Sequence, residues 1–469
     1  MHGVAILVGI EAALVAGLHM ALRGDWYRTC VYLVALTAPL EVYRTTVRDL
    51  NPSLFRLSLA IAAVTVVVGL ARDRGTSWRE VVSARMSPLA GACLVLLLAV
   101  AASIAANGDT FLGRRLVAVL VVGIVAMVVL AELARRTSLR TLAVALVAGA
   151  LLPIVAACWQ VLGPKLGGDP SLPLLSELPV AEGLEQARSE SAVLSSGATV
   201  EASTRLKGTF VDPNHFGAYL VFVLAVAAAL TASALRLHRR DQALAFGALG
   251  LATVAILVGT YSRSAWVAAA VAAAVAALAL GPSLWRSLPP RALIAGLAAL
   301  AVMGLAAVAL PDVRDRLSPS SAVNASSNVL HRENAEAGLD AFRERPLLGI
   351  GPGELSARLN AGVRTSAADS TYVTVIAELG AVGLFALLLT AGFAMRALWR
   401  GARDPVALAL AAAYSGFLVA NVFYDQLWWR DFHFTVLGLA LAFGALRAPA
   451  PRRSEVPARA PGHPPLPAR

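Results

Sequence analysis

Apolar stretches long enough to cross a bilayer recur along almost the whole of this 469-residue chain. A helix needs roughly 17 to 25 apolar residues to span the hydrocarbon core. Composition agrees: 58% of the residues are apolar and only 15% charged, where a soluble domain carries roughly a quarter charged. The expected fold is all-α, a polytopic transmembrane helical bundle. Its spans are expected near 4–22, 28–43, 53–71, 88–106, 115–134, 140–162, 215–236, 242–260, 264–281, 291–310, 371–396, 405–424 and 432–447. The second is short and interrupted by Pro39 and Glu41, which gives about 12 or 13 spans by length. Alanine-rich runs such as VAAAVAAAVAALAL suit close helix approach in lipid.

A net charge of +11 raises the question of nucleic acid. The arginines, however, cluster in short loops between spans, which is the positive-inside pattern of membrane topology, and no nucleic-acid partner is expected. The loops 72–85, 135–140, 237–241, 284–291 and 398–404 alternate along the chain and are assigned to the cytoplasm. The outer side then receives two long loops, 163–214 and 311–370, the turn carrying Arg263 and the turn 425–431. The side of the N-terminus depends on whether the second span crosses or re-enters. The first apolar segment lacks a basic leader and a small-residue cleavage site, and reads as a retained span. Cys30, Cys93 and Cys158 have no paired spacing, so they predict neither a disulfide framework nor a metal site. The chain reads as one bundle over 1–447 and a proline-rich tail, 448–469, expected to be disordered and cytoplasmic.

Four polar clusters fall on the outer side. In RLKGTFVDPNHFGAYLVF (205–222), Asp212-Pro213-Asn214 leads into a helix that Asn214 is placed to cap. The positive end of that helix, with Arg205 and Lys207, suits an anion; an ordinary cap with interfacial basic anchors is the plainer alternative. In TYSRSAW (260–266), Arg263 is either a snorkelling anchor beside Trp266 or a fixed cation at a site. In HRENAEAGLDAFRERPLLGIGPGEL (331–355), Ala335, Leu339 and Phe342 recur at helical spacing. Residues 331–343 are therefore a short amphipathic helix presenting His331, Arg332 and Glu336. The Gly-rich turn after Pro346 lacks the Lys-Ser/Thr of a P-loop and reads as a plain turn. In ADSTYVTVIAELGAVGLFALLLT (368–390), Asp369 stands where the chain enters the membrane, and it or Ser370 is the N-cap. Glu378 lies about 13 Å further along the helix axis, where a carboxylate is costly unless it is paired or faces a polar cavity.

Taken in order, these clusters resemble the family of O-antigen ligases and related polysaccharide polymerases. The matching residues are Arg205 to Pro213-Asn214 ahead of a span, Thr260 to Arg263 at a hairpin, Arg332 to Gly351, and Tyr372 to Glu378, Gly380 and Gly383. The resemblance implies glycosyl transfer outside the bacterial cytoplasmic (inner) membrane, from a polyprenyl (undecaprenyl) diphosphate-linked glycan. It implies no cofactor, no metal and no nucleotide sugar, and its partners are the lipid-linked oligosaccharide, membrane lipids, and a chain-length regulator and flippase of the same pathway. Where the ligases carry a His-Asn pair this chain has Asp369-Ser370, which shifts the expectation toward a repeat-unit polymerase, with ligase as the alternative.

Displacing a diphosphate from an anomeric carbon needs positive charge on the leaving group and a base near the acceptor hydroxyl. Arginine supplies a permanent bidentate phosphate clamp. Arg205, Arg263 and Arg332 are therefore expected to form the cradle, with Lys207, Asn214, Tyr372 and Glu378 binding substrate. Asp369 is the first candidate base and His331, with a pKa nearer working pH, the second. A transporter or flippase for an anionic lipid is the rival of a different class. The large outer loops, and the scarcity of mid-span ionisable residues beyond Glu11 and Glu378, count against it.

Overall fold

The computed structural model describes residues 2–40, 53–72, 88–108, 110–167, 205–210, 212–287, 313–314, 318, 322–360, 370–424, 438 and 440. The expected span 291–310, all of 432–447 except residues 438 and 440, the turn 425–431, the tail and Asp369 lie outside the described residues. Every other expected span is a helix. The order is α1 (His2–Ala21), α2 (Trp26–Thr37) continued by a 3-10 turn (Ala38–Leu40), α3 (Leu54–Arg72), α4 (Pro88–Asn107), α5 (Phe111–Arg136), α6 (Leu139–Gly149) and α7 (Leu151–Lys165). There follow α8 (Pro213–Arg236), α9 (Arg240–Gly259), α10 (Arg263–Ser287), α11 (Ala322–Glu344), α12 (Glu354–Asn360), α13 (Thr371–Arg400) and α14 (Pro405–Ala420). Seven of these, counting α6–α7 as one, are long and apolar enough to cross a bilayer, and α1, α10 and α14 add shorter apolar stretches. The chain is a multi-pass, all-α membrane protein.

Helix α2 settles how the first spans run. Its start lies against the end of α5: the Arg136 Nη1 donates to the Tyr27 hydroxyl at 2.8 Å, and buried Glu132 accepts from both Arg135 and Arg136. Its end lies against the beginning of α3, where the Thr37 hydroxyl meets Ser58 at 2.9 Å. Ser58 in turn donates to Glu11 of α1 at 2.6 Å. The second segment therefore traverses the bundle, and α1 begins on the same face as the α9–α10 hairpin that carries Arg263. That face is called the hairpin face below.

Pairs of sequence signals set the helix starts. Asp212 and Asp404 are N-caps with proline in the first helical position, and each carboxylate accepts a backbone N–H of the first turn. The proline loses nothing there, because the N–H it lacks has no intrahelical partner. Asn214, the expected cap of α8, lies two residues past the N-cap, inside the first turn. It supplies the backbone N–H that Asp212 accepts, at 2.6 Å.

The Gly-rich turn after α11 does more than reverse the chain. Helix α13 is broken at Gly380 (φ 65°, ψ −164°), which leaves backbone groups open in the middle of a span. The 346–351 strand of chain fills them. Ile350 N donates to Ala377 O at 2.9 Å, Gly351 N to Glu378 O at 3.1 Å, and Ala381 N to Pro346 O at 2.8 Å. Ser103 of α4 adds a hydroxyl donor to Glu378 O at 2.9 Å, and Asn107 donates to Gly349 O at 3.0 Å. The approach is so close that a Cβ on Gly349 would sit 2.2 Å from the carbonyl carbon of Glu378, and one on Gly380 2.3 Å from that of Leu347. An alanine at either position has no room and a disfavoured positive φ. Gly349→Ala is expected to lower the unfolding free energy in detergent by at least about 2 kcal/mol. Gly392→Ala in the same span, which meets nothing within 4 Å, is expected to be neutral or mildly stabilising. Thermal unfolding of the two variants side by side checks this.

Candidate functional site

The site is built from chain ends that converge on the hairpin face. Arg205 is the first connector. Its Nε donates to Thr260 O at 3.0 Å and its Nη2 to Asn214 Oδ1 at 3.1 Å, with Tyr261 O at 3.5 Å. The planar fork thus binds the 205–210 segment to the α9–α10 turn and to the first turn of α8. Nearby backbone bonds set its place: Leu206 N donates to Gly259 O at 2.9 Å, and Gln160 of α7 accepts from the N–H groups of Lys207 and Gly208. Thr209 donates to Pro39 O at 2.7 Å. In the turn itself, Tyr261 takes a positive φ of 49°, and Trp266 donates its indole N–H to Leu257 O at 3.1 Å. The hairpin is pinned from both sides.

The second connector is Asp212. Burial alone would raise its pKa, but His215, Arg205, the Asn214 N–H and the Tyr424 hydroxyl outweigh that and hold it below the ordinary carboxylate value. It is an anion set among donors. His215 lies on the following turn with its ring 5.2 Å from that of Tyr424, edge-on. Tyr424 follows α14, and three residues before it Asn421 reaches the start of α13. Asn421 Oδ1 accepts from the Thr371 hydroxyl at 2.6 Å, and its carbonyl accepts from Thr371 N at 3.0 Å and from the Ser370 hydroxyl at 3.4 Å. Ser370 is the N-cap of α13, and the residue before it is Asp369.

The third connector is Arg263, half-buried at the head of α10. Its Nη2 donates to Asn328 Oδ1 of α11 at 3.3 Å. His331 and Arg332 lie on that helix one turn further on. Helix α11 runs from Ala322 to Glu344, ahead of and through the expected 331–343. His331 is half-buried, whereas the Arg332 side chain is 81% exposed and paired with Glu336 at 2.7 Å. No described contact joins Arg332 to Arg205 or Arg263.

The structure therefore strings Arg205, Asn214, Arg263 and the approach to Asp369 into one network, and carries His331 and Arg332 beside it on α11. Tyr372 and Glu378 lie elsewhere. The Tyr372 hydroxyl donates to Leu418 O at 2.8 Å, tying α13 to α14. Glu378, 1% exposed, sits at the helix break. Lys207 stands half-buried in the 205–210 segment. Sequence reasoning missed Asp212 as the cap, and also His215, Asn421 and Tyr424. His215 stands inside the quoted 205–222 motif, adjacent to Asn214. Asn421 and Tyr424 belong to no motif, and only the packing of α14 between α8 and α13 brings them in.

Because Arg205 serves three acceptors in two segments, Arg205→Lys is expected to lower stability in detergent by about 1–2 kcal/mol, since an ammonium is a point donor that cannot reproduce the fork. Arg263→Lys, which gives up a single 3.3 Å bond, is expected to stay within about 0.5 kcal/mol of wild type. Thermal midpoints of the two purified variants compare them.

No curated protein matches the chain. Residues 247–388 match the family model described as O-antigen ligase. The match contains the Thr260–Arg263 hairpin, the Arg332–Gly351 segment and the Tyr372–Gly383 segment; the Arg205–Asn214 segment precedes it. Three motif segments lie inside the match and the fourth is bonded to the hairpin through Arg205, so the chain is a multi-pass membrane protein that is similar to the O-antigen ligase family over residues 247–388.

Proposed function

We propose that the protein is a glycosyltransferase acting on the extracytoplasmic face of the bacterial inner membrane, and that it transfers a polyprenyl-diphosphate-linked glycan onto another lipid-linked glycan. The observation that carries this reading is the bond network on the hairpin face, where an arginine-bearing hairpin, a capped helix start and the α13 entry meet at the rim of apolar spans. The basic loops between spans fall at the opposite ends of the helices, which supports an outer location for this face.

The chemistry follows from charge. The acceptor oxygen attacks the anomeric carbon, and the bond to the diphosphate breaks with its electron pair on the leaving group. Arg263, with Arg332 of the neighbouring helix α11, offsets the charge that develops on the diphosphate, and needs no ion to do so. Arg205 holds the hairpin and the α8 start in register while adding its own positive charge. Spans beneath supply an apolar groove for the prenyl tail. Candidates for the proton acceptor are Asp369, next to the anchored Ser370, and the imidazoles of the same face. The Asp369-Ser370 pair in place of His-Asn favours polymerisation over transfer to a lipid A–core acceptor.

Arg263→Ala is expected to leave the protein inserted in the membrane and to reduce long polysaccharide by roughly 10²-fold or more; Arg332→Ala is expected to act in the same direction. Gel profiles of surface polysaccharide from cells carrying each variant check this, and a normal chain-length distribution in both would remove the arginines from the site.

A further inference from the structure

We infer that His215, oriented by Asp212 and the ring of Tyr424, is the catalytic base that takes the proton from the acceptor hydroxyl. This rests on the glycosyltransferase reading and names a residue outside the matched 247–388 segment. Four observations converge on it. His215 is half-buried on the hairpin face. Asp212, an anion at the cap of the same helix, interacts electrostatically with it, and a neighbouring anion stabilises the imidazolium as it forms. Tyr424 packs edge-on against its ring at 5.2 Å and donates its hydroxyl to the same Asp212. One residue back, Asn214 is bonded to Arg205 at 3.1 Å, and Arg205 is bonded in turn to Thr260 O of the hairpin, so the imidazole stands next to the point where the hairpin is tied to α8.

The titratable and charged groups on the described elements around it are Asp212 at the cap of its own helix, Arg205 of the preceding segment, Tyr261 and Arg263 of the packed hairpin, and Tyr424 after α14. Asp212 favours a proton on the imidazole, whereas the two arginines and the positive end of α8 oppose it. An imidazole is a stronger proton acceptor than a carboxylate of ordinary pKa, which gives the transfer little driving force. In the step, the acceptor oxygen bonds to the anomeric carbon, the carbon–oxygen bond to the diphosphate breaks, and the hydroxyl proton passes to an imidazole nitrogen of His215 and then to water. Asp212 is a positioning residue and exchanges no proton.

The test uses the purified full chain in detergent with a synthetic polyprenyl-diphosphate oligosaccharide as both donor and acceptor. His215→Gln is expected to lower turnover by roughly 10²-fold or more with little change in KM, and to remove the rise of rate with pH expected of wild type on the acidic side. Asp212→Asn is expected to keep that rise and move its midpoint to lower pH. Matching thermal midpoints for His215→Gln and wild type exclude misfolding; should they differ, partial recovery of rate by added imidazole in His215→Ala carries the same information. Wild-type turnover and pH profile in His215→Gln overturns the assignment while the glycosyltransferase reading stands. A wild-type protein that releases no polyprenyl diphosphate overturns both.

Discussion

A helix broken inside a membrane exposes backbone groups that lipid cannot satisfy, and each buried group left open costs on the order of 1–3 kcal/mol. Helix α13 breaks at Gly380, and the 346–351 segment supplies its missing partners, paired on both sides of the break. Helix α11 hangs from that segment, so its position over the bundle is set by backbone hydrogen bonds in the interior of a span. The Asn328–Arg263 contact, and the placement of His331 and Arg332, depend on it. Two glycines make the approach feasible, because Gly349 and Gly380 each stand where the other segment's backbone passes.

On the hairpin face the same logic appears in side chains. Arg205 joins the hairpin to α8, Asp212 and Tyr424 join α8 to the end of α14, and Asn421 joins α14 to the start of α13. Each link is local, but the sequence positions it connects are up to about two hundred residues apart. A bundle of alanine-rich helices offers little to hold such distant ends in register, since apolar packing in lipid is weakly directional. Polar links at the helix ends supply the direction, and they leave cationic and titratable groups gathered at one rim.

The spans were legible in the sequence because bilayer thickness sets their length, whereas the cap of α8 was not, because Asn214 offers the same capping chemistry as Asp212 two residues earlier. The 331–343 periodicity revealed α11 but not its first turns, which lack the apolar stripe. GIGPGEL read as a plain turn, since its lack of a P-loop lysine argued against nucleotide; its partner is the α13 backbone, and only the three-dimensional break at Gly380 discloses that. The order of the four motifs was legible, whereas the division of labour among the arginines of three of them was not. Arg205, Arg263 and Arg332 look alike in sequence, yet one is a three-acceptor strut, one has a single long bond and one is turned outward to Glu336. Tyr424 and Asn421 were invisible, because their importance arises from α14 lying between α8 and α13.

The central claim is that these linked motifs form one catalytic site. Purified protein in detergent, with no separate compartments, given a polyprenyl-diphosphate-linked repeat unit, tests it most directly. The expected result is a longer lipid-linked glycan, with one free polyprenyl diphosphate released for each unit added and the yield falling in Arg263→Ala. The contradicting result is an unchanged substrate in detergent together with movement of the same lipid across vesicles containing the protein, which would make the hairpin face part of a conduit.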